Sequence, residues 1–355
     1  MKEVILVAPK LGIGGIQRAL TNLANWFASK DYQVTFISCK KEPLFYNLDE
    51  RVTLITPEKE HPGKGGNLVF HYLFILKFLR KQFKSSKSTN IISFGDTFNP
   101  LVIIASLGLQ KKVHISDRTS PDYKFKWNVK WLKRLTYKKS DTFIAQTDVA
   151  ASWNVTKFKN QLNIVVIPNQ VREVTVDKDA NKEKVILYVG RFAWEKNPEA
   201  LIKAYSKIEN KQGWKLVMLG DGPQLNEMVN LSASFGLENE IEFKGQVKEV
   251  DYYFSRASIY VLPSVLEGFP NALCEAMAFG LPCITSNTIP YSDVGKENED
   301  FLVANMKDAN DLTSKIQKLI DDETLRTFLG NNSKHINERL SMETIGKKFE
   351  SVLIF

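Results

Sequence analysis

Glu267 and Glu275 bracket the run Glu267-Gly268-Phe269-Pro270-Asn271-Ala272-Leu273-Cys274-Glu275, two carboxylates with seven residues between them. A short apolar run, 259–262, precedes it, and Pro270 sits at or near where a helix would begin. Glu267 is therefore expected in the loop leaving a strand and Glu275 about a turn into the helix. Both carboxylates and the helix N-terminus can then face one ligand. Glu275 stands among Ala272, Leu273, Ala276, Met277 and Ala278, where an unpaired charge is costly, so it needs a hydroxyl or a cation as partner.

A second set lies earlier. Gly190-Arg191-Phe192-Ala193-Trp194-Glu195-Lys196-Asn197-Pro198 follows the apolar run 185–189 and puts two cations at the carboxyl end of a strand. In open α/β sheets that edge binds ligands, and an arginine with a lysine there suits a diphosphate. Near the start, Gly12-Ile13-Gly14-Gly15-Ile16-Gln17-Arg18 separates the run 4–8 from a helical stripe through Leu20, Leu23, Ala24 and Phe27. A glycine-rich turn opening a helix lets backbone N–H groups approach a phosphate. The dinucleotide fingerprint G-x-G-x-x-G fails, because Gln17 occupies the third glycine position.

The elements that must carry these residues are short apolar runs alternating with amphipathic stretches. They fall at 4–8, 34–38, 91–94, 113–116, 142–145 and 164–167, and again at 185–189, 216–219, 241–243, 259–262 and 283–286. Such alternation is the βαβ pattern of buried parallel sheets. A chain of 355 residues exceeds one ordinary core, so two doubly wound α/β domains are expected: 1–168, 169–340, and a closing helix in 341–355 packing back toward the first. The charged, apolar-poor segment 172–184 is expected to be a hinge with few core contacts.

In their order along the chain, Gly14-Gly15-Ile16-Gln17-Arg18, Ile167-Pro168-Asn169, Gly190-Arg191 with Glu195-Lys196-Asn197, Gly220-Asp221-Gly222-Pro223 and the Glu267 to Glu275 run resemble glycosyltransferase family four, retaining enzymes of GT-B architecture. The resemblance spans essentially the whole chain. It implies two Rossmann-like domains facing a cleft that holds a nucleotide sugar. Arg191 and Lys196 would hold the donor diphosphate and Glu275 the ribose hydroxyls. Glu267 would contact the donor sugar, and Gly268, Phe269, Pro270 and Asn271 would bring backbone groups toward sugar and phosphates. Gly14 and Gly15 would close over the phosphates, and Gln246-Val247 would touch the nucleobase. The implied reaction moves a sugar, with retention, from a UDP-hexose or UDP-N-acetylhexosamine to an acceptor hydroxyl, without a cofactor or metal. A lipid-linked saccharide of polysaccharide, O-antigen or glycolipid synthesis is the expected acceptor. Three positions depart from the family pattern. Gln17 replaces a glutamate, the stretch Ser286-Asn287-Thr288-Ile289-Pro290 lacks the usual glycines, and Arg118 stands where many relatives place a histidine. An arginine cannot act as a base, so Arg118 would act through charge or position. His114, earlier on the same apolar run, is expected in the core.

Composition narrows the alternatives. With 43% hydrophobic and 25% charged residues the chain is an ordinary globular protein. Cys39, Cys274 and Cys283 show no C-x-x-C spacing, which opposes a disulfide framework and a zinc site and suits a reducing cytosol. The N-terminus reaches Pro9-Lys10 before a signal-peptide core forms. The longest apolar stretch, 68–76, is interrupted by His71 and is far short of the roughly 20 residues that span a bilayer. Residues 1–168 carry 26 Lys+Arg against 12 Asp+Glu, and residues 169–355 carry 22 against 28, so the halves are +14 and −6. The basic half should attract an anionic partner. Its lysines interleave with aromatics at 70–87 and 124–139, including Trp127 and Trp131. Peripheral contact with the cytoplasmic face of an anionic membrane is therefore expected, through Lys126, Lys130, Lys133 and Arg134. A nicotinamide oxidoreductase is opposed by the broken fingerprint, and a nucleic-acid binder by the lack of any recognised module. A phosphorylase or epimerase of the same architecture stays open.

Overall fold

The computed structural model describes residues 2–12, 14–58, 68–177 and 179–353. Ile13 of the glycine-rich turn and Lys178 of the charged segment lie outside them. The chain divides into two compact units, unit 1 of Met1–Gln170 with Met342–Phe355, and unit 2 of Val171–Ser341.

Unit 1 runs β1 (Glu3–Ala8), α1 (Gly15–Ser29), β2 (Gln33–Ser38), β3 (Thr53–Ile55), α2 (Leu68–Ser85), β4 (Asn90–Phe94), α3 (Asn99–Ser106), β5 (Lys112–Ser116), α4 (Trp127–Thr136), β6 (Thr142–Ala145), α5 (Asp148–Lys157) and β7 (Ile164–Val166). The strands form one parallel sheet in the order β3-β2-β1-β4-β5-β6-β7. Val4 to Ala8 are wholly buried, as apolar runs in a two-sided parallel sheet should be. One face of the sheet buries Ile75, Leu79 and Phe83 of α2 with Leu101 and Val102 of α3.

Unit 2 runs β8 (Val185–Val189), α6 (Pro198–Ser206), β9 (Lys215–Leu219), α7 (Leu225–Ser234), β10 (Ile241–Gly245), α8 (Val250–Arg256), β11 (Ile259–Leu262), α9 (Asn271–Ala278), β12 (Cys283–Ser286), β13 (Leu302–Ala304), α10 (Asp311–Asp321), α11 (Glu323–Ser333) and α12 (Ile336–Arg339). Its sheet is parallel, in the order β10-β9-β8-β11-β12-β13. The predicted stripe of Leu312, Ile316, Leu319 and Ile320 on α10 is buried in its core. The last helix, α13 (Met342–Val352), belongs to unit 1. There it packs on α1, with Trp26 Nε1 donating to Glu343 at 2.9 Å and the Tyr32 hydroxyl to Glu350 at 2.6 Å. Gly346 makes the approach possible, since a Cβ there would meet the Trp26 ring at 2.3 Å.

Two expectations change. The segment 172–184 is not a loosely held linker. Arg172 pairs with Asp251, Arg256 with Asp177 at 3.2 Å, and the Lys182 ammonium donates to the Ala257 carbonyl at 2.9 Å, so the segment is fastened along α8. Lys133 is not a surface cation either: its side chain is 4% exposed and sits between two carboxylates. Among the described residues no helix is long and apolar enough to cross a membrane.

Candidate nucleotide-sugar site

In unit 2 the loops that leave β8, β9 and β10 are tied backbone to backbone. Gly190 N–H donates to the Leu219 carbonyl at 3.0 Å, Phe192 N–H to Asp221 at 3.0 Å, and Gly220 N–H to Gly245 at 2.8 Å. Gly220 has φ +134°, and a Cβ there would lie 1.9 Å from the Gly190 carbonyl oxygen. Only glycine fits both the conformation and the approach. The Gly220-Asp221-Gly222 motif is thus a spacer that lets the Arg191 loop close on the sheet edge. The Tyr188 hydroxyl, donating to the Arg191 carbonyl at 3.0 Å, fixes the same turn from below.

The predicted cations sit on this edge. Arg191 is 64% exposed and its guanidinium pairs with Glu195. Burial raises the Glu195 carboxyl, but the Arg191 hydrogen bond, a backbone hydrogen bond and the Arg191 and Lys196 charges together hold the group below its ordinary range. Lys196 ends a short 3-10 turn, and Asn197, left-handed at φ 49°, redirects the chain into Pro198 of α6. Its ammonium donates to Glu267 Oε1 at 2.5 Å. The loop carrying Glu267 is held there because the N–H groups of Val265 and Leu266 both donate to the Glu195 carbonyl, at 2.9 and 3.2 Å. Four residues from two separate motifs are thereby brought into one cluster.

Pro270 is the N-cap of α9 and Asn271 its first residue. Phe269 and Pro270 are buried, Gly268 and Asn271 partly so, and because α9 follows β11 of the parallel sheet its N-terminus stands at the carboxyl edge. Glu275 is 12% exposed. The cationic partner its apolar neighbours require is Arg172, whose Nε donates to Glu275 Oε2 at 3.2 Å. Arg172 also grips Asp251 with both terminal nitrogens, Nη1 at 3.0 Å from Oδ2 and Nη2 on Oδ1. Neither Arg172 nor Asp251 was among the predicted site residues, and the charge of segment 172–184 was the only hint in the sequence. Gln246 is exposed and Val247 half-buried, just past the bulge that ends β10.

In unit 1, Gly14 is the N-cap of α1 at the carboxyl end of β1, and a Cβ on Gly15 would meet nothing within 4 Å. Arg118 follows β5, which lies one strand from β1 across β4. Its guanidinium stacks 3.5 Å from the Phe94 ring centroid and pairs with Asn169, and its backbone N–H donates to Asp96 at 3.0 Å. Burial draws the Arg118 guanidinium down to about 9, while Asp96 and Asp117 oppose that fall. Beneath it the Lys133 ammonium lies 3.0 Å from Asp96 and 2.6 Å from Asp117, and the Tyr137 hydroxyl donates to Asp117 at 2.5 Å. Burial and the Asp96 charge push the Asp117 carboxyl up to about 6. His114 is wholly buried, with Nε2 3.2 Å from Asn90 Oδ1. Among the described residues no group of three His, Cys, Asp or Glu side chains is arranged to hold a metal ion.

Residues 172–336, nearly all of unit 2, match the family model described as glycosyl transferases group 1. With two Rossmann-like parallel-sheet units, the match supports a glycosyltransferase of GT-B architecture. The chain is 29% identical, over 94% of its length and 93% of the relative's, to the GalNAc-alpha-(1->4)-GalNAc-alpha-(1->3)-diNAcBac-PP-undecaprenol alpha-1,4-N-acetyl-D-galactosaminyltransferase of Campylobacter jejuni. It is 24% identical, over 99% of both chains, to the amylovoran biosynthesis glycosyltransferase AmsD of Erwinia amylovora. The crystal structure of Alr3699/HepE from Anabaena, in complex with UDP and glucose, shares the fold with a TM-score of 0.80 at 15% identity, over 99% of each chain.

Proposed function

We propose that the protein transfers a hexose or N-acetylhexosamine from a UDP-sugar to a hydroxyl of a lipid-linked saccharide, in polysaccharide, O-antigen or glycolipid synthesis, with retention at the anomeric carbon. The observation that carries this reading is the gathering of Arg191, Lys196, Glu267, Glu275 and the start of α9 on one sheet edge. As the bond from the anomeric carbon to the diphosphate breaks, negative charge builds on the leaving oxygen. Arg191, Lys196 and the N–H groups opening α9 stabilise that charge without requiring a metal. Glu267 contacts the donor sugar, Glu275 accepts from the ribose, Gln246 and Val247 flank the base, and Gly14 and Gly15 approach the phosphates. Arg118 contributes charge to the donor sugar. The acceptor oxygen attacks the face the diphosphate leaves, and its proton passes to the departing phosphate oxygen. The Campylobacter relative, whose name specifies an undecaprenol diphosphate saccharide, supports the acceptor class.

Binding of UDP to the native state alone adds RT ln(1+[L]/Kd), about 2.7 kcal/mol at a hundredfold excess over Kd. Millimolar UDP should therefore raise the melting temperature measurably. No shift with UDP, GDP or ADP would remove the nucleotide-sugar assignment.

The same reading places unit 1 against an anionic bilayer. Trp127, Trp131 and Leu135, four residues apart along α4, are 80%, 58% and 53% exposed, beside exposed Lys126, Lys130 and Arg134. Each such cation contributes about 1 kcal/mol near an anionic surface. Charge reversal at these three should release the protein from phosphatidylglycerol vesicles at low salt and leave UDP binding intact. Wild-type protein that stays off the vesicles would make a soluble acceptor the better reading.

A further inference from the structure

Arg172 opens the charged segment that begins unit 2, 103 residues before Glu275. Its guanidinium has two duties. The terminal nitrogens fork onto both oxygens of Asp251, and the Thr175 N–H adds a 3.4 Å contact to the same carboxylate. The remaining Nε–H points to Glu275 Oε2 at 3.2 Å. Asp251 lies on α8 and Glu275 on α9, so one planar cation fixes a carboxylate on one helix by reference to another.

We propose that Arg172, anchored by Asp251, is a positioning residue that sets the orientation and charge of Glu275 for the nucleotide's ribose. The inference rests on the reading of Glu275 as the ribose-binding carboxylate. Glu275 is 12% exposed among apolar neighbours. Without Arg172 it would turn toward solvent, away from the position in which it accepts hydroxyl hydrogen bonds from a ribose. A carboxylate can accept about four hydrogen bonds, and the Arg172 Nε–H takes up one of those positions on Glu275. Lysine could not replace this arrangement, because an ammonium cannot make the planar fork on Asp251.

A staple that only holds the segment 172–184 to α8 would affect all nucleotides alike, whereas a positioning role acts through the ribose hydroxyls. The experiment therefore measures Kd by calorimetry for UDP, 2′-deoxy-UDP and 3′-deoxy-UDP in wild type, Glu275→Gln, Arg172→Gln and Asp251→Asn. Wild type should favour UDP over at least one deoxy analogue by about tenfold or more, as a hydrogen bond to a charged group implies. Glu275→Gln should remove the preference. Arg172→Gln should narrow it to about threefold or less by weakening UDP and not the analogue, and Asp251→Asn should narrow it in the same direction. Arg172→Gln or Asp251→Asn with the full preference, or with equal weakening of all three ligands, would overturn the positioning role while Glu275 kept its own. If Arg172→Gln does not fold, Asp251→Asn decides alone. A wild type with no preference, or a Glu275→Gln that keeps it, would remove the ribose reading, and this proposal with it.

Discussion

In unit 1 the ammonium of Lys133 lies between Asp96 and Asp117, with the three side chains 4%, 6% and 13% exposed. In unit 2 the ammonium of Lys196 lies against Glu267 with 25% of the lysine and 9% of the glutamate exposed, and the neighbouring Arg191 is 64% exposed on Glu195. Both sets stand near the carboxyl ends of a parallel sheet. The first is closed, since every charge has its partner in the protein and water does not reach the ammonium. The second is open at Arg191, whose exposed cation can exchange a carboxylate for a phosphate at little cost. Buried pairs are sustained by geometry and fail when one member is removed, whereas half-exposed pairs contribute little to folding and stay available to a ligand. Residue type alone does not reveal the difference between these two kinds of pair.

The strongest break in that comparison is Lys133→Ala. Removing the ammonium of this buried ion network leaves two carboxylates with hydrogen bonds but without their cation, and such a loss typically costs about 3–5 kcal/mol. Urea unfolding should show the loss, and a variant as stable as wild type would mean that the cluster is not closed in solution.

Next comes the buried imidazole of unit 1. Burial lowers the His114 imidazole to about 4, opposed by Asp141 and assisted by Lys112, against about 6.5 in an unfolded chain. The native state therefore holds it neutral. Its contribution is complete above about pH 6.5 and is lost as the pH falls toward 4, up to about 3 kcal/mol. Denaturant midpoints at pH 7 and pH 4.5 should fall apart in wild type and move together in His114→Gln. An identical pH dependence in the two proteins would place the acid sensitivity elsewhere.

The open set should respond in the opposite currency. Arg191→Ala should leave stability within about 0.5 kcal/mol, whereas Lys196→Ala should cost more, because Glu267 is 9% exposed and loses its cation. Each should cut turnover about a hundredfold, the usual loss when one donor to a developing oxyanion goes. Near-normal kcat in both would make them ordinary surface cations. A large loss of stability in Arg191→Ala would erase the contrast with Lys133.

What was legible in the sequence follows from range. The buried strands of both sheets announce themselves as apolar runs, because a parallel strand covered on both faces has no polar side. Thr53–Ile55, exposed or half-buried at a sheet edge, does not, and Leu302–Ala304, though buried and apolar, is too short to stand out. The Glu267 to Glu275 run and the Gly190 to Pro198 run could be read as site elements because strand end, loop and helix start all lie within a few residues of one another. Lys133 could not be read correctly. On α4 it sits among exposed cations, and only the fold brings it to Asp96, 37 residues earlier. Arg172 is the same case in unit 2, apparently a linker charge until α8 and α9 present Asp251 and Glu275 to it. By itself the sequence determined the two sheets and the residue types placed at the carboxyl edge of the second. The tertiary structure decided which charges pair with which, because a desolvated ion takes whichever partner the packing leaves within reach, regardless of its distance along the chain.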